Sequence, residues 1–242
     1  TYHLEHLIEP SCISAQSGKY SYESFMQGVK LAQSGECEAL VTLPIHKKAW
    51  QKAGITYIGH THALSSYFQT QGIMMLGCPS LFVALFTDHI ALNEVSQCVN
   101  KESVKEFLLR FARAVKLSET CCVLGLNPHC GDEGVMGNED SFITLAVQEA
   151  NAELGKEIFF GAYPADSAFS PLNRARFRYF VSMYHDVGLA PLKALYFEES
   201  INVSLNLPIL RTSVDHGVAY DKAYKQDSKV SLQSYLNAVK YA

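Results

Sequence analysis

No stretch of this chain is apolar for long enough to cross a bilayer. Its longest apolar runs, such as Leu81-Phe82-Val83-Ala84-Leu85-Phe86, fall far short of the roughly 20 residues a spanning helix needs. Positive charge is scarce too: 20 Lys and Arg stand against 24 Asp and Glu, a formal net charge of −4, which leaves no basic surplus to track a nucleic-acid backbone. No basic segment followed by an apolar one opens the sequence, so nothing in it reads as a secretion signal. There is no Cys-x-x-Cys pair suited to structural zinc and no Gly-x-Gly-x-x-Gly of a dinucleotide-binding turn. Linkers, charge blocks and internal repeats are absent as well, and the 15 glycines and 8 prolines stand singly. These absences argue against a membrane protein, a nucleic-acid binder and a disulfide-stapled secreted scaffold.

What is present is a chain of 242 residues, 48% hydrophobic and 18% charged, enough to bury one large core or two modest ones. The seven cysteines (Cys12, Cys37, Cys78, Cys98, Cys121, Cys122, Cys130) are odd in number and lie mostly in apolar runs, so they read as reduced, buried thiols of a cytoplasmic protein. Short apolar runs of strand type alternate with longer amphipathic segments, the pattern of an α/β protein with mainly parallel strands. Helices are expected from Ser21 as cap through Phe25, Val29 and Ala32 to Gly35, over 61–71, 101–116, 139–154 and 230–241. Strands are expected at 39–43, 73–76, 81–87, 121–126, 158–160, 179–183 and 201–205.

Ligands of open α/β sheets gather beyond the carboxyl ends of the strands. There the sequence places Thr87-Asp88-His89, Asn127-Pro128-His129 and Tyr184-His185-Asp186, one histidine after each of three strands. Neutral imidazole is a common ligand of divalent metals, and three with an open position make a catalytic rather than a structural site. The segment from Gly125 to Gly137 carries four glycines between a strand and a helix, and reads either as a cradle for an anion or cofactor or as a tight turn. His60, Thr61, Lys193, Asn202 and Arg211 are polar or basic residues able to hold a phosphate or carboxylate. Asp186 and Lys193 also offer an acid–base pair near His185, and Asp166 is either catalytic or a helix cap.

These segments together resemble the 4-hydroxythreonine-4-phosphate dehydrogenases of vitamin B6 (pyridoxal phosphate) biosynthesis. The resemblance is carried by Leu43-Pro44-Ile45-His46-Lys47, Gly59-His60-Thr61, the Asn127-Pro128-His129 loop, Pro164-Ala165-Asp166, Tyr184-His185-Asp186 and Arg211-Thr212-Ser213-Val214-Asp215-His216-Gly217, in family order along essentially the whole chain. It implies a two-domain α/β/α sandwich of the isocitrate/isopropylmalate dehydrogenase-like type, which binds its cofactor without the usual glycine fingerprint. The two domains are expected at 1–47 with 212–242 and at 48–211. It implies a divalent metal held by His89, His129 and His185 across a homodimer interface, with zinc first and cobalt, magnesium or manganese as alternatives. Substrate contacts fall on His60, Thr61, Lys193, Asn202 and Arg211, and proton handling on Asp186 or Lys193, with Asp166 as a further catalytic candidate. The implied reaction is oxidation of 4-phosphooxy-L-threonine by NAD or NADP, followed by decarboxylation to 3-amino-2-oxopropyl phosphate.

Three positions depart from the family pattern: Leu43 replaces a Gly, His62 an acidic residue and Val187 a Gln. His62 and Val187 leave another four-carbon phosphorylated acid, threonate or erythronate 4-phosphate, as an alternative substrate. The family pattern also begins about 70 to 120 residues upstream of Thr1, a sizeable part of one domain, so an inactive metal-binding and dimerising fragment is a further alternative.

Overall fold

The structure, a computed structural model, describes residues 12–223 and 225–242. In chain order the elements begin with α1 (Ala15–Ser34), β1 (Ala39–Thr42), α2 (Lys47–Lys52), α3 (His60–Phe68), β2 (Ile73–Cys78) and β3 (Leu81–Leu85). Next come α4 (Leu92–Cys98), α5 (Lys101–Ala114), β4 (Cys121–Leu124), a 3-10 segment at Pro128–Gly134, α6 (Glu139–Leu154) and β5 (Phe159–Tyr163). The chain closes with α7 (Ala165–Ala168), α8 (Pro171–Arg176), β6 (Tyr179–Ser182), α9 (His185–Tyr196), β7 (Ile201–Leu205), β8 (Leu210–Val214) and α10 (Gln233–Tyr241). They form two compact units, one of residues up to Gly72 together with Ile201–Ala242, the other Ile73–Ser200. The sequence reading divides the chain at 47/48 and 211/212 instead.

In the first unit β1 runs parallel to β8 and β7 runs antiparallel to it. Register sets Arg211 opposite Leu40 on one side and opposite Ser204 on the other, while Ser213 faces both Thr42 and Asn202. Because side chains alternate along a strand, Asn202 with Ser204, and Arg211 with Ser213, each share a face. The core beside this sheet is Phe25, Val29, Trp50, Ala63, Leu64 and Ile209. Trp50, the chain's only tryptophan, is fully buried and donates its indole N–H to Ser21 Oγ at 2.8 Å. Ser21 is therefore not the helix cap that its sequence context suggests: Ser14 caps α1, accepting from Ser17 N–H at 3.1 Å, and the helix begins about two turns earlier. The expected end is met, with Gly35 left-handed at φ 80° and its N–H returned to Ala32 and Leu31. Gly18 lets α1 lie against α2, since a Cβ there would collide with the Ala49 carbonyl.

The second unit orders its strands β2-β3-β6-β4-β5, antiparallel between β2 and β3 and parallel across β3/β6, β6/β4 and β4/β5. Its core includes Val83, Leu85, Cys122, Leu124, Phe177, Phe180, Leu189 and Leu192. The parallel order aligns the carboxyl ends of β3, β6 and β4, so the segments after them emerge at one edge of this sheet. All seven cysteines are free, as expected, but only Cys78, Cys121 and Cys122 are buried, while Cys12 and Cys37 are exposed. No described helix is long and apolar enough to cross a membrane.

Candidate active site

Arg211, on the middle strand of the first unit's sheet, is 3% exposed, and its described hydrogen-bond partners are all neutral. Its Nε and Nη2 donate to Thr42 Oγ1 at 3.0 and 2.6 Å, Nη1 to Ser204 Oγ at 3.2 Å, and Nη2 also to His60 Nδ1 at 3.0 Å. Burial without a carboxylate lowers the guanidinium to about 9, which still leaves it charged at neutral pH. His60 opens α3 after Gly59, buried with its ring against Phe25 (4.7 Å between centroids) and edge-on to Trp50 (5.5 Å). Desolvation, and then the neighbouring Arg211 charge, hold its imidazole down at about 3. Thr61 follows in the first turn, its hydroxyl 2.9 Å from Ser204 Oγ. Asn202 is half-buried on the same face of β7 as Ser204, and its Oδ1 is buried without a hydrogen-bond partner among the described residues. One cation, three hydroxyls and an imidazole thus converge, with no anion among their hydrogen-bond partners in the described residues. Such a site favours an anionic ligand.

In the second unit the strand-end histidines are brought partly together. His89 and His185 face one another with ring centroids 5.8 Å apart. Asp186 Oδ1 lies 2.7 Å from His185 Nδ1, and Asp88 Oδ1 lies 3.6 Å from His89 Nδ1 while also accepting the His89 backbone N–H. That hydrogen bonding holds the Asp88 carboxyl below its ordinary range. With Asp88, Asp186, Thr87 and Tyr184 the two histidines line an open cleft of about 470 Å³.

A metal-binding imidazole commonly has its second nitrogen held by a carboxylate, a condition that His185 meets through Asp186, while Asp88 stands beside His89 at 3.6 Å, beyond hydrogen-bond reach. His129 does not join them: among the described residues no three His, Cys, Asp or Glu side chains gather to hold a metal. Among the described residues a single chain therefore brings together two of the three expected imidazoles.

His129 lies exposed in the turn after β4, where His129, Cys130, Gly131, Asp132 and Glu133 all take positive φ between 46° and 80°. This left-handed turn is anchored by Asp140, 2% exposed, whose Oδ1 accepts Leu126 N–H at 2.8 Å and whose Oδ2 accepts Asn127 N–H at 3.1 Å and Asn127 Nδ2 at 2.8 Å. A Cβ on Gly125 would collide with Asp140 Oδ1, and one on Gly137 would lie 2.6 Å from Asn127 Nδ2. Those glycines let the loop close upon itself, which supports the tight turn over the open cradle.

Asp186 and Lys193 both lie on α9, about 10 Å apart along the axis and on one face, since seven residues make two turns. Lys193 Nζ sits 5.4 Å from the Phe197 ring. Asp166 is exposed in the first turn of α7, whose cap is Pro164, so it is not the helix cap. The substituted positions have local roles: His62 Nδ1 accepts Ile58 N–H at 3.3 Å, and Val187 packs on the second unit's core.

Residues that the sequence reading did not single out include Thr42, Ser204 and Asp140. Thr42 is the one polar side chain inside the apolar run Ala39–Leu43, and Ser204 alternates with Asn202 along β7. Those two patterns were the available signals.

Residues 1–242 match the family described as "Pyridoxal phosphate biosynthetic protein PdxA". The chain is 51% identical over 238 residues to 4-hydroxythreonine-4-phosphate dehydrogenase of Sulfurimonas denitrificans, covering 98% of this chain and 76% of that one. It is 54% identical over 230 residues to the enzyme of that name from Helicobacter acinonychis, covering 95% and 73%. A crystal structure of 4-hydroxythreonine-4-phosphate dehydrogenase from Klebsiella pneumoniae superposes with a TM-score of 0.83 at 31% identity, covering 98% of this chain and 74% of that one. The expected fold class, α/β of the isocitrate/isopropylmalate dehydrogenase-like type, is that of these relatives. The chain belongs to the pyridoxal phosphate biosynthetic protein PdxA family.

Proposed function

We propose that the chain oxidises the C3 hydroxyl of 4-phosphooxy-L-threonine, passing hydride to NAD or NADP and giving 2-amino-3-oxo-4-phosphooxybutanoate. That β-keto acid loses CO2 to yield 3-amino-2-oxopropyl phosphate. The observation that carries this reading is the buried Arg211 beside His60, Thr61 and Ser204, a cationic cluster with no carboxylate among its hydrogen-bond partners in the described residues.

In this reading Arg211, His60 and Thr61, joined by Asn202 and Lys193, hold the phosphorylated substrate. The phosphate takes no part in bond-making, so its binding energy goes into placing the reacting carbon. His89 and His185, with the His129 of a second copy in a homodimer, would hold a divalent cation, which would lower the pKa of the hydroxyl and stabilise negative charge on its oxygen. Zinc suits three imidazoles, with cobalt, magnesium or manganese as alternatives. Asp186 or Lys193 takes the hydroxyl proton, with Asp166 a third candidate. The pH–rate profiles of Asp186→Asn, Lys193→Ala and Asp166→Asn separate them, because the base's variant alone loses the limb of the profile that it controls.

The test is absorbance of reduced nicotinamide with 4-phosphooxy-L-threonine and either cofactor, with and without a chelator. Chelator-sensitive turnover is expected. Faster turnover of threonate or erythronate 4-phosphate would overturn the substrate assignment.

A further inference from the structure

We infer that Thr42 is a positioning residue which, by orienting Arg211, fixes His60 as a neutral imidazole with its proton on Nε2, so that the pocket presents a donor at that nitrogen. This rests on reading Arg211 and His60 as substrate-holding residues, and it goes further by assigning Thr42 and the tautomer.

A guanidinium has only donors. Arg211 Nη2 lies 3.0 Å from His60 Nδ1, so Nδ1 accepts and carries no proton, and a neutral ring must carry its proton on Nε2. Protonation at Nδ1 would set an N–H against an N–H and a second positive charge beside Arg211. Around the ring, Phe25 comes from α1 and Trp50 from α2, both uncharged, and Arg211 from β8 is the charge that faces it.

What holds the guanidinium in that orientation is a hydroxyl. Thr42 Oγ1 donates to the Thr212 carbonyl at 3.5 Å, which leaves its two lone pairs to accept Arg211 Nε and Nη2. Ser204, directly opposite Arg211 in the strand register, accepts Nη1. A carboxylate in place of Thr42 would grip the same edge of the guanidinium but neutralise it. A hydroxyl orients the group and leaves its charge for an anion.

The experiment is long-range ¹H–¹⁵N correlation on the ¹⁵N-histidine-labelled chain, with His60→Gln identifying the signal among nine histidines. The expected result is an Nε2–H pattern that does not titrate between about pH 5 and 8. An Nδ1–H pattern, or an imidazolium in that range, would overturn the inference whatever the variants do. Thr42→Val keeps the shape of the side chain but supplies no lone pairs. It should mix the His60 tautomers and raise KM for 4-phosphooxy-L-threonine about tenfold while kcat stays within about twofold, the scale of losing a hydrogen bond from a charged donor. Thr42→Ser should restore both readouts. An unchanged tautomer and KM in Thr42→Val would remove the positioning role. Should Thr42→Val not fold, Thr42→Ala, which also lacks the hydroxyl, is read in the same way. The spectra need no substrate, so an enzyme silent toward every phosphorylated acid would overturn the functional reading and leave the tautomer to be judged separately.

Discussion

His60 and His185 are the same side chain in opposite surroundings. In the first unit His60 is buried between aromatic rings with a guanidinium on its Nδ1, so it stays neutral, and the positive charge of the cluster belongs to Arg211. In the second unit His185 keeps 42% of its side-chain surface and has a carboxylate on Nδ1, and the His89 ring facing it has Asp88 beside it. One cluster is a cation with no carboxylate beside it among the described residues; the other is a pair of imidazoles with carboxylates beside them. Burial together with the sign of the neighbouring charge sets the two clusters apart.

The largest effect should come from removing the cation. Arg211→Met leaves Thr42, Ser204 and His60 without their donor in a dry site, and steady-state kinetics should show kcat/KM for 4-phosphooxy-L-threonine down about 10³-fold, the scale expected when a buried charge-assisted hydrogen bond is removed. Arg211→Lys should recover little, because one ammonium cannot span Thr42, Ser204 and His60 at once. Next is acid. His60 is held near 3 in the folded chain and returns to about 6.5 when unfolded, so between those values the unfolded state binds more protons. Its share of stability is complete above about pH 6.5 and is lost as pH falls toward 3, by about 1.4 kcal/mol per unit. Urea midpoints of the parent chain and of His60→Gln between about pH 7 and 5 should therefore converge as pH falls. A smaller effect is expected at the other cluster: Asp88→Asn and Asp186→Asn should weaken divalent-cation binding by about 10–100-fold in calorimetry, leaving the His60 signal where it was.

The clusters were unequally legible in sequence because their residues announce themselves differently. His60, Thr61 and Arg211 stand out as polar groups at element ends and are brought together. Thr42 and Ser204 are ordinary strand residues until register sets them beside Arg211. Long periodic elements were readable: α6 falls at 139–154 and β7 at 201–205, as expected. α9 was missed because Gly188 and Pro191 interrupt its pattern, and Pro191 sits in the helix interior. β8 was missed because Arg211, Thr212 and Ser213 make it read as polar loop, although all three are buried. The four glycines from Gly125 to Gly137 signal a turn, but the left-handed stretch His129–Glu133 has a single glycine among its five residues, so its conformation has no local signal. Its anchor, Asp140, lies beyond it at the start of α6.

The smallest effect separates exposure from geometry. Lys101 Nζ meets Glu149 Oε1 at 2.8 Å, as short as the Arg211 contacts, and Lys105 adds Glu149 at 3.4 Å and Glu153 at 3.2 Å between α5 and α6. Hydrogen bonding to Lys101 holds the Glu149 carboxyl below its ordinary range. Distance alone would rank this ladder with the Arg211 cluster. Its side chains are open to water, however, where solvent and salt screen the attraction and ordering two long side chains offsets much of what remains. Glu149→Gln should therefore lower the melting temperature by about 2 °C or less, and the difference should fade in high salt, while the larger drop in melting temperature expected of Arg211→Met should persist there. A salt-insensitive drop at Glu149 as large as that of Arg211→Met would mean that the length of a contact, and not burial, sets the ranking of the two clusters.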